Sequence, residues 1–163
     1  MLPTLQIGDY LLINKLRYGI RIPGSRRWVV RFGSPQPGDV IVFGDPKDKS
    51  INYVKRVIAV ENEVVEIRDK DVLVNGVRRE VPAAFFAQQT YIRPGTRRDN
   101  IGPLVVPRGR VFVMGDNRDH SFDSRYRGFV KTIDVEGKAL LVYWSADGDE
   151  GAVRWDRIGK VIP

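Results

Sequence analysis

A mostly β fold with little helix is predicted by three observations. Apolar residues come in short runs bounded by turn residues, Asn75-Gly76 is a strong hairpin signal, and no long stretch repeats its apolar residues with a helical period. The expected architecture is a complex of antiparallel sheets carrying an inserted β-ribbon.

The elements follow in order. Asp9–Asn14 reads as a strand. Pro35-Gln36-Pro37-Gly38-Asp39 is a turn, and the run Val40–Phe43 after it is a strand. Gly44-Asp45-Pro46 turns again before a strand over Tyr53–Val60. Glu63–Arg68 and Asp71–Val74 are short strands, and Asn75-Gly76 suits a type I′ turn, whose central residues both need positive φ. Val77–Val81 would be the return strand. Residues 82–109 read as irregular because of Pro82, Pro94, Gly95, Gly102, Pro103, Pro107 and Gly109. Arg110–Met114, Lys138–Trp144 and Val153–Trp155 complete the strands. The expected division is a core of residues 1–63 and 108–163, with 64–107 inserted as a ribbon or variable subdomain.

Composition then removes whole chemistries. The chain has 163 residues, no Cys and one His. Thiol catalysis, disulfides, Cys-ligated zinc and iron–sulfur clusters are excluded, as is any metal site needing two His. No metal or other cofactor is expected. A Ser-His-Asp site is possible only through His120; otherwise a hydrolytic base here is a Lys or a carboxylate. No run approaches a membrane span in length, and Met1–Thr4 has no signal-peptide pattern.

Net charge is +7, unevenly spread. No acid stands between Asp9 and Asp39, a stretch holding Lys15, Arg17, Arg21, Arg26, Arg27 and Arg31 among Tyr18, Ile20, Ile22, Trp28 and Phe32. That mixture suits an anionic lipid surface, a nucleic-acid backbone, or simply a solvated face over a few core aromatics.

Two segments carry chemistry. In the strand Tyr53-Val54-Lys55-Arg56-Val57, Lys55 shares a face with Tyr53, Val57 and Ala59. Burial of that face would lower the Lys pKa toward the range of a useful base, whereas an edge-strand Lys reaching water would stay ordinary. The loop Gly115–Arg125 packs three acids, two Arg, two Ser, an Asn and a His into eleven residues after an apolar strand. Such a loop cross-links itself through Arg–carboxylate pairs and can hold a hydroxyl in place, or it is a salt-bridged surface loop.

Together these segments resemble the bacterial type I signal peptidases, Ser–Lys endopeptidases. Gly115–Arg125 is similar to the family signature Gly-Asp-Asn-Arg-Asp-x-Ser-x-Asp-Ser-Arg, and Tyr53–Arg56 to its base-bearing strand. Gly38–Phe43 resembles the strand before it, Met1-x-Pro3-Thr4-Leu5 the end of the nucleophile box Ser-Met-x-Pro-Thr, and Tyr18-Gly19-Ile20 and Ala139–Ile158 also look family-like.

The resemblance implies a signal-peptidase-like fold and a set of roles. Lys55 is the general base, Ser121 hydrogen-bonds its amine, and Asp123 and Arg125 pair to brace the loop. Asn52, Tyr53 and Val54 line the cleft and pair with an extended substrate. Met1 and Leu5 shape the small-residue pockets. The implied partners are signal peptides of exported preproteins and an anionic membrane surface, with no nucleic acid; the implied location is the outer face of the bacterial cytoplasmic membrane. The family nucleophile precedes the Met of the first motif, here Met1, and none of the six serines stands in an equivalent motif. A truncated, inactive catalytic domain is therefore expected. Glu61-Asn62-Glu63 stands where family members often have Pro-Gly-Asp, His120 where Asn is usual, and Arg127 where Trp or another bulky residue is usual. The other readings are a self-cleaving or plasmid-transfer Ser–Lys peptidase and a basic β-domain binding single-stranded nucleic acid.

Overall fold

The structure is a computed structural model describing residues 1–22, 28–45, 48, 50–81, 83–86, 96–147 and 151–163. Arg26, Arg27, Pro46, Pro82, Pro94 and Gly95 lie outside the described residues. The strands are β1 (Asp9–Asn14), β2 (Gly19–Arg21), β3 (Trp28–Arg31), β4 (Val40–Gly44), β5 (Asn52–Ala59), β6 (Val64–Arg68), β7 (Asp71–Val74), β8 (Val77–Arg78), β9 (Ile101–Val105), β10 (Arg110–Met114), β11 (Val130–Lys131) and β12 (Val135–Ser145). One short helix, α1 (Ser124–Arg127), follows β10.

The fold is mostly antiparallel β, as the sequence predicts. Six strands form one sheet in the order β1-β12-β4-β5-β10-β11, four form another in the order β8-β7-β6-β9, and β2 pairs with β3. β4 and β5, the central pair, are held in continuous register from Val40↔Arg56 to Gly44↔Asn52. Side chains alternate across this pair. Ile41, Phe43, Tyr53 and Val57 join one apolar cluster, while Val40, Val42 and Val54 join another with Met1 and Leu5. The four-stranded sheet shares a third cluster with Ile58, Ala59, Phe112 and Met114.

The differences from expectation have local causes. β9 was hidden by Gly102 and Pro103, yet among the described residues it pairs only with β6, and an edge strand tolerates a missing N–H. β8 stops at Arg78 instead of running to Val81; Val77 and Arg78 are exposed, so little packing extends the ladder. Val153–Trp155 is not a strand: Val153 makes a single bridge to Ala146, and Trp155–Arg157 is a 3₁₀ turn with Trp155 exposed. The β2–β3 hairpin within the basic stretch has Arg21 over the Trp28 ring at 4.1 Å.

The turn after β5 is built by Asn62 and Glu63. Asn62 takes φ 70°, which Asn tolerates, and Glu63 accepts a hydrogen bond from Val60 N at 2.7 Å.

Candidate active site

Three chain segments converge where β5 leaves its partner β10. β10 pairs with β5 only from Met114↔Arg56 onward. Among the described residues, no strand therefore covers the second edge of Asn52–Lys55.

The first segment is the N-terminal turn. Leu5 N donates to Met1 O, and Leu5 is buried against Val40, Val42 and Val142. Thr4 Oγ1 donates to Asp116 Oδ2 at 2.5 Å, and Arg157 Nη2 donates to Thr4 O while its fork grips Asp9. Burial pushes the Asp9 carboxyl up, but hydrogen bonds from Arg157, Gln6 N and Ser145 outweigh it and hold the group at about 2.

The second segment is β5. Lys55 is half-buried, and its ammonium is destabilised chiefly by burial. Asp123 and Asp116 oppose that shift, and Arg125 and Arg127 add to it; the net direction is down. The Met1 amino group is also pushed down, first by burial and then by the Lys55 charge, which places the two nitrogens in one electrostatic neighbourhood.

Arg56 points to the opposite face and is buried, 4% exposed. Its Nε and Nη2 each donate to Asp116 at 2.9 Å, and Nη1 donates to Gly38 O. Such a charge survives burial only because its partner and hydrogen bonds are complete.

The third segment is the loop Gly115–Arg125. Asp123 accepts from Gly115 N at 3.0 Å, caps α1 through Arg125 N, and takes both Nε and Nη2 of Arg125 at 2.9 Å. Arg125 is itself 2% exposed and donates to Arg118 O and Arg98 O. Ser124 Oγ accepts from Val113 N, tying the loop to β10. A side-chain carbon on Gly115 would overlap Ser121 Oγ and touch Lys55 Cδ at 3.7 Å, so both side chains pack over the bare glycine. Ser121 Oγ is buried and makes no hydrogen bond among the described residues; the bond expected to Lys55 is not formed in this structure.

The remaining residues named from sequence fall around this point. Met1, Leu5 and Val54 line a groove of about 450 Å³ with Leu11, Asn117 and His120. Tyr53 lies on the other face against Phe43, with the Arg127 guanidinium 4.4 Å over its ring and paired to Asp45. It borders a larger groove of about 600 Å³ that runs from Phe43 and Phe122 to Lys131, away from Met1. Asn52 is exposed at the start of β5. His120 is exposed at the groove rim, where its N donates to Asn117 Oδ1 at 3.3 Å. Among the described residues, no group of three or more His, Asp or Glu is placed to hold a metal.

Sequence reasoning gave no role to Arg56, Asp116, Thr4 or Arg118. Arg118 is 2% exposed, with only Met114 Sδ near Nη1; burial, then Arg125, pushes it down to about 10 against Asp116 and Asp123. A signal existed for Arg56: a cation among Val54 and Ile58 on a buried strand face needs an acid, and Asp116 opens an acid-rich loop directly after an apolar strand.

The three segments bring a half-buried lysine, a buried serine hydroxyl and an open strand edge together in a mostly β domain. A family profile described as "Signal peptidase, peptidase S26" matches residues 1–144, and the chain belongs to that family. It is 37% identical over 175 aligned residues to Signal peptidase I of Pseudomonas fluorescens, covering 89% of this chain and 62% of that protein. It is 32% identical to Signal peptidase I of Mycobacterium tuberculosis, covering 100% of this chain and 66% of the relative. The crystal structure of a signal peptidase I from Enterococcus faecalis superposes with a TM-score of 0.51 at 33% identity, over 64% of this chain and 95% of that one. The chain thus spans somewhat under two thirds of the length of the curated relatives it matches first.

Proposed function

We propose that this chain is the catalytic part of a membrane-associated endopeptidase that removes signal peptides from exported preproteins, with Lys55 as general base. One observation carries the reading: a lysine whose charged form is disfavoured lies at an open strand edge, with the buried Ser121 hydroxyl packed near it over Gly115 and the Met1 nitrogen within reach of its charge. A base must be neutral near working pH, and burial is what moves a lysine that way.

In this reading the nucleophile is a serine joined to the Met1 nitrogen in the full-length protein. Its Oγ attacks the scissile carbonyl as its proton passes to Lys55 Nζ. The C–N bond then breaks and the leaving amine takes that proton; water next attacks the acyl ester with Lys55 again as base, the ester C–O bond breaks, and the serine oxygen takes the proton back from Lys55. Asp123 and Arg125 fix the loop that presents Ser121. The substrate adds as an extended strand along Asn52–Lys55, which leaves alternate side chains facing the groove of Met1, Leu5 and Val54.

Residues 1–63 and 108–163 act as the core and 64–107 as an insertion. The domain works at the outer face of the cytoplasmic membrane. Exposed Leu16, Val29, Val30 and Phe32 beside Lys15, Arg17 and Arg31 suit an anionic lipid surface. Tyr18 is buried on Asp39 and Trp28 is covered by Arg21, so neither offers a face for stacking bases, which weighs against the nucleic-acid reading.

Kinetics on preproteins varied near the cleavage site test this. The full-length protein is expected to cleave after small residues and to lose at least about 10²-fold in kcat/KM when Leu or Phe replaces them. Equal cleavage of all variants contradicts the groove assignment, and no cleavage contradicts the activity.

A further inference from the structure

The inserted sheet touches the Gly115–Arg125 loop through both backbone and side chains. Phe85 N donates to Asp116 O at 2.7 Å and Arg118 N donates to Phe85 O at 2.8 Å, forming a short parallel bridge. Arg125 Nη1 donates to Arg98 O at 2.9 Å. Lys70 Nζ lies 3.3 Å and Arg98 Nη1 3.6 Å from Asp119 Oδ1, and Arg98 also forks onto Asp99. All four of these side chains are at most 7% exposed.

Lys70 is an unusual residue for its place. It stands in the β6–β7 turn at φ 75°, a conformation that suits Gly or Asn. The next turn of the same sheet meets the same need with Asn75-Gly76. At Lys70 a long cation occupies the left-handed position and is buried, with its backbone N bonded to Asp99 O. Both the conformation and the burial of its charge cost free energy, and a buried ion cluster is a poor source of net stability. What the arrangement does supply is a fixed location for Asp119, two residues before Ser121.

We propose that Lys70 and Arg98 of the inserted sheet are positioning residues for the catalytic loop: by holding Asp119 they fix Ser121 against Gly115 and Lys55. The insertion is then part of the machinery and not an ornament on it. This rests on the reading of Lys55 as the base. Lys55 is faced by Asp123, Arg125, Arg127 and Asp116 and by the Met1 nitrogen, all but Arg127 and Met1 belonging to the loop or its immediate braces.

The test compares Lys70→Met, Lys70→Arg and Asp119→Asn in the full-length protein, with Arg78→Gln, an exposed pair with Asp71 in the same sheet, as control. kcat and KM are measured across pH, and the Lys55 amine is titrated by NMR. Lys70→Met and Asp119→Asn are expected to lower kcat by roughly 10–100-fold with KM little changed, since small misplacements of reacting groups cost that much. The rising limb of the pH profile and the Lys55 titration should both move to higher pH as the loop loosens. Lys70→Arg should recover most of the loss, and Arg78→Gln should match the unaltered protein. The proposal is overturned if both variants fold with unchanged kcat and pH limb, or if activity falls only in step with melting temperature and Lys70→Arg brings no recovery. Asp119→Asn, which preserves shape, decides the matter if Lys70→Met does not fold. An unaltered protein whose Lys55 titrates as an ordinary lysine sinks the base reading instead, and the proposal with it.

Discussion

Arg56 and Asp116 form a bidentate ion pair sealed beneath the Lys55 strand, with both bonds at 2.9 Å and Asp116 fully buried. The pair joins the three converging segments, because Asp116 also accepts the Thr4 hydroxyl and Arg56 is adjacent to Lys55.

Breaking this pair from one side leaves a buried charge without its partner. Asp116→Asn should therefore cost about 3–5 kcal/mol in denaturant unfolding. The double variant Arg56→Met/Asp116→Leu should regain much of that stability, since apolar replacement removes both desolvation costs. It should not regain peptidase activity, because Thr4 and the N-terminal turn have lost their acceptor. Full recovery of both properties would show that the pair has no role at the site.

Lys55 trades stability for a neutral amine. Its charged form is disfavoured in the folded state, so the unfolded chain binds the extra proton between the depressed value and the ordinary one near ~10.4. Lys55→Met should accordingly raise the melting temperature at neutral pH. That advantage should shrink as pH rises toward about 10, where the unfolded lysine also becomes neutral. Thermal melts of both proteins at neutral pH and near pH ~10 read this directly; an advantage independent of pH would mean that packing, not charge, is responsible.

Asp9 gives a dependence of the same sign, stability rising with pH, but in the acid range. Its carboxyl titrates at about 2 when folded and near ~3.9 when unfolded, so its contribution is complete above that ordinary value and is lost as pH falls through about 2. The size is at most about 2–3 kcal/mol, and water around the partly exposed residue screens it below that ceiling. Arg157→Met should remove most of this acid-dependent loss between roughly pH 4 and pH 2. The unaltered and variant proteins should otherwise unfold with parallel pH curves.

Gly115→Ala is the sharpest small change available at the site. The new methyl meets Ser121 Oγ and Lys55 Cδ from the same side. Activity of the full-length protein should fall on the order of 10²-fold, with little change in far-UV circular dichroism. An active Gly115→Ala protein would mean that Ser121 is free to move without consequence.

The central strands were legible because β4, β5 and β10 carry apolar runs bounded by turn residues. β9 was not, since Gly102 and Pro103 break the local pattern and only the edge position permits them. The same limit applied at the site. Lys55 and Ser121 could be named because their motifs are local in sequence, and Met1, Leu5 and Val54 fall in one groove. Arg56–Asp116 spans 60 positions and Thr4–Asp116 spans 112, so no periodicity reports them. The grip of Lys70 and Arg98 on Asp119 was hidden for the same reason, within a segment read as irregular or variable.

The most direct test of the account is cleavage of a signal-peptide-bearing preprotein by this chain extended upstream through a serine placed immediately before Met1, with and without Lys55→Ala. The account predicts turnover by the extended chain, a loss of about 10⁶ in kcat when that serine is replaced by Ala, and no detectable turnover in the Lys55→Ala form. Cleavage that survives Lys55→Ala would contradict it.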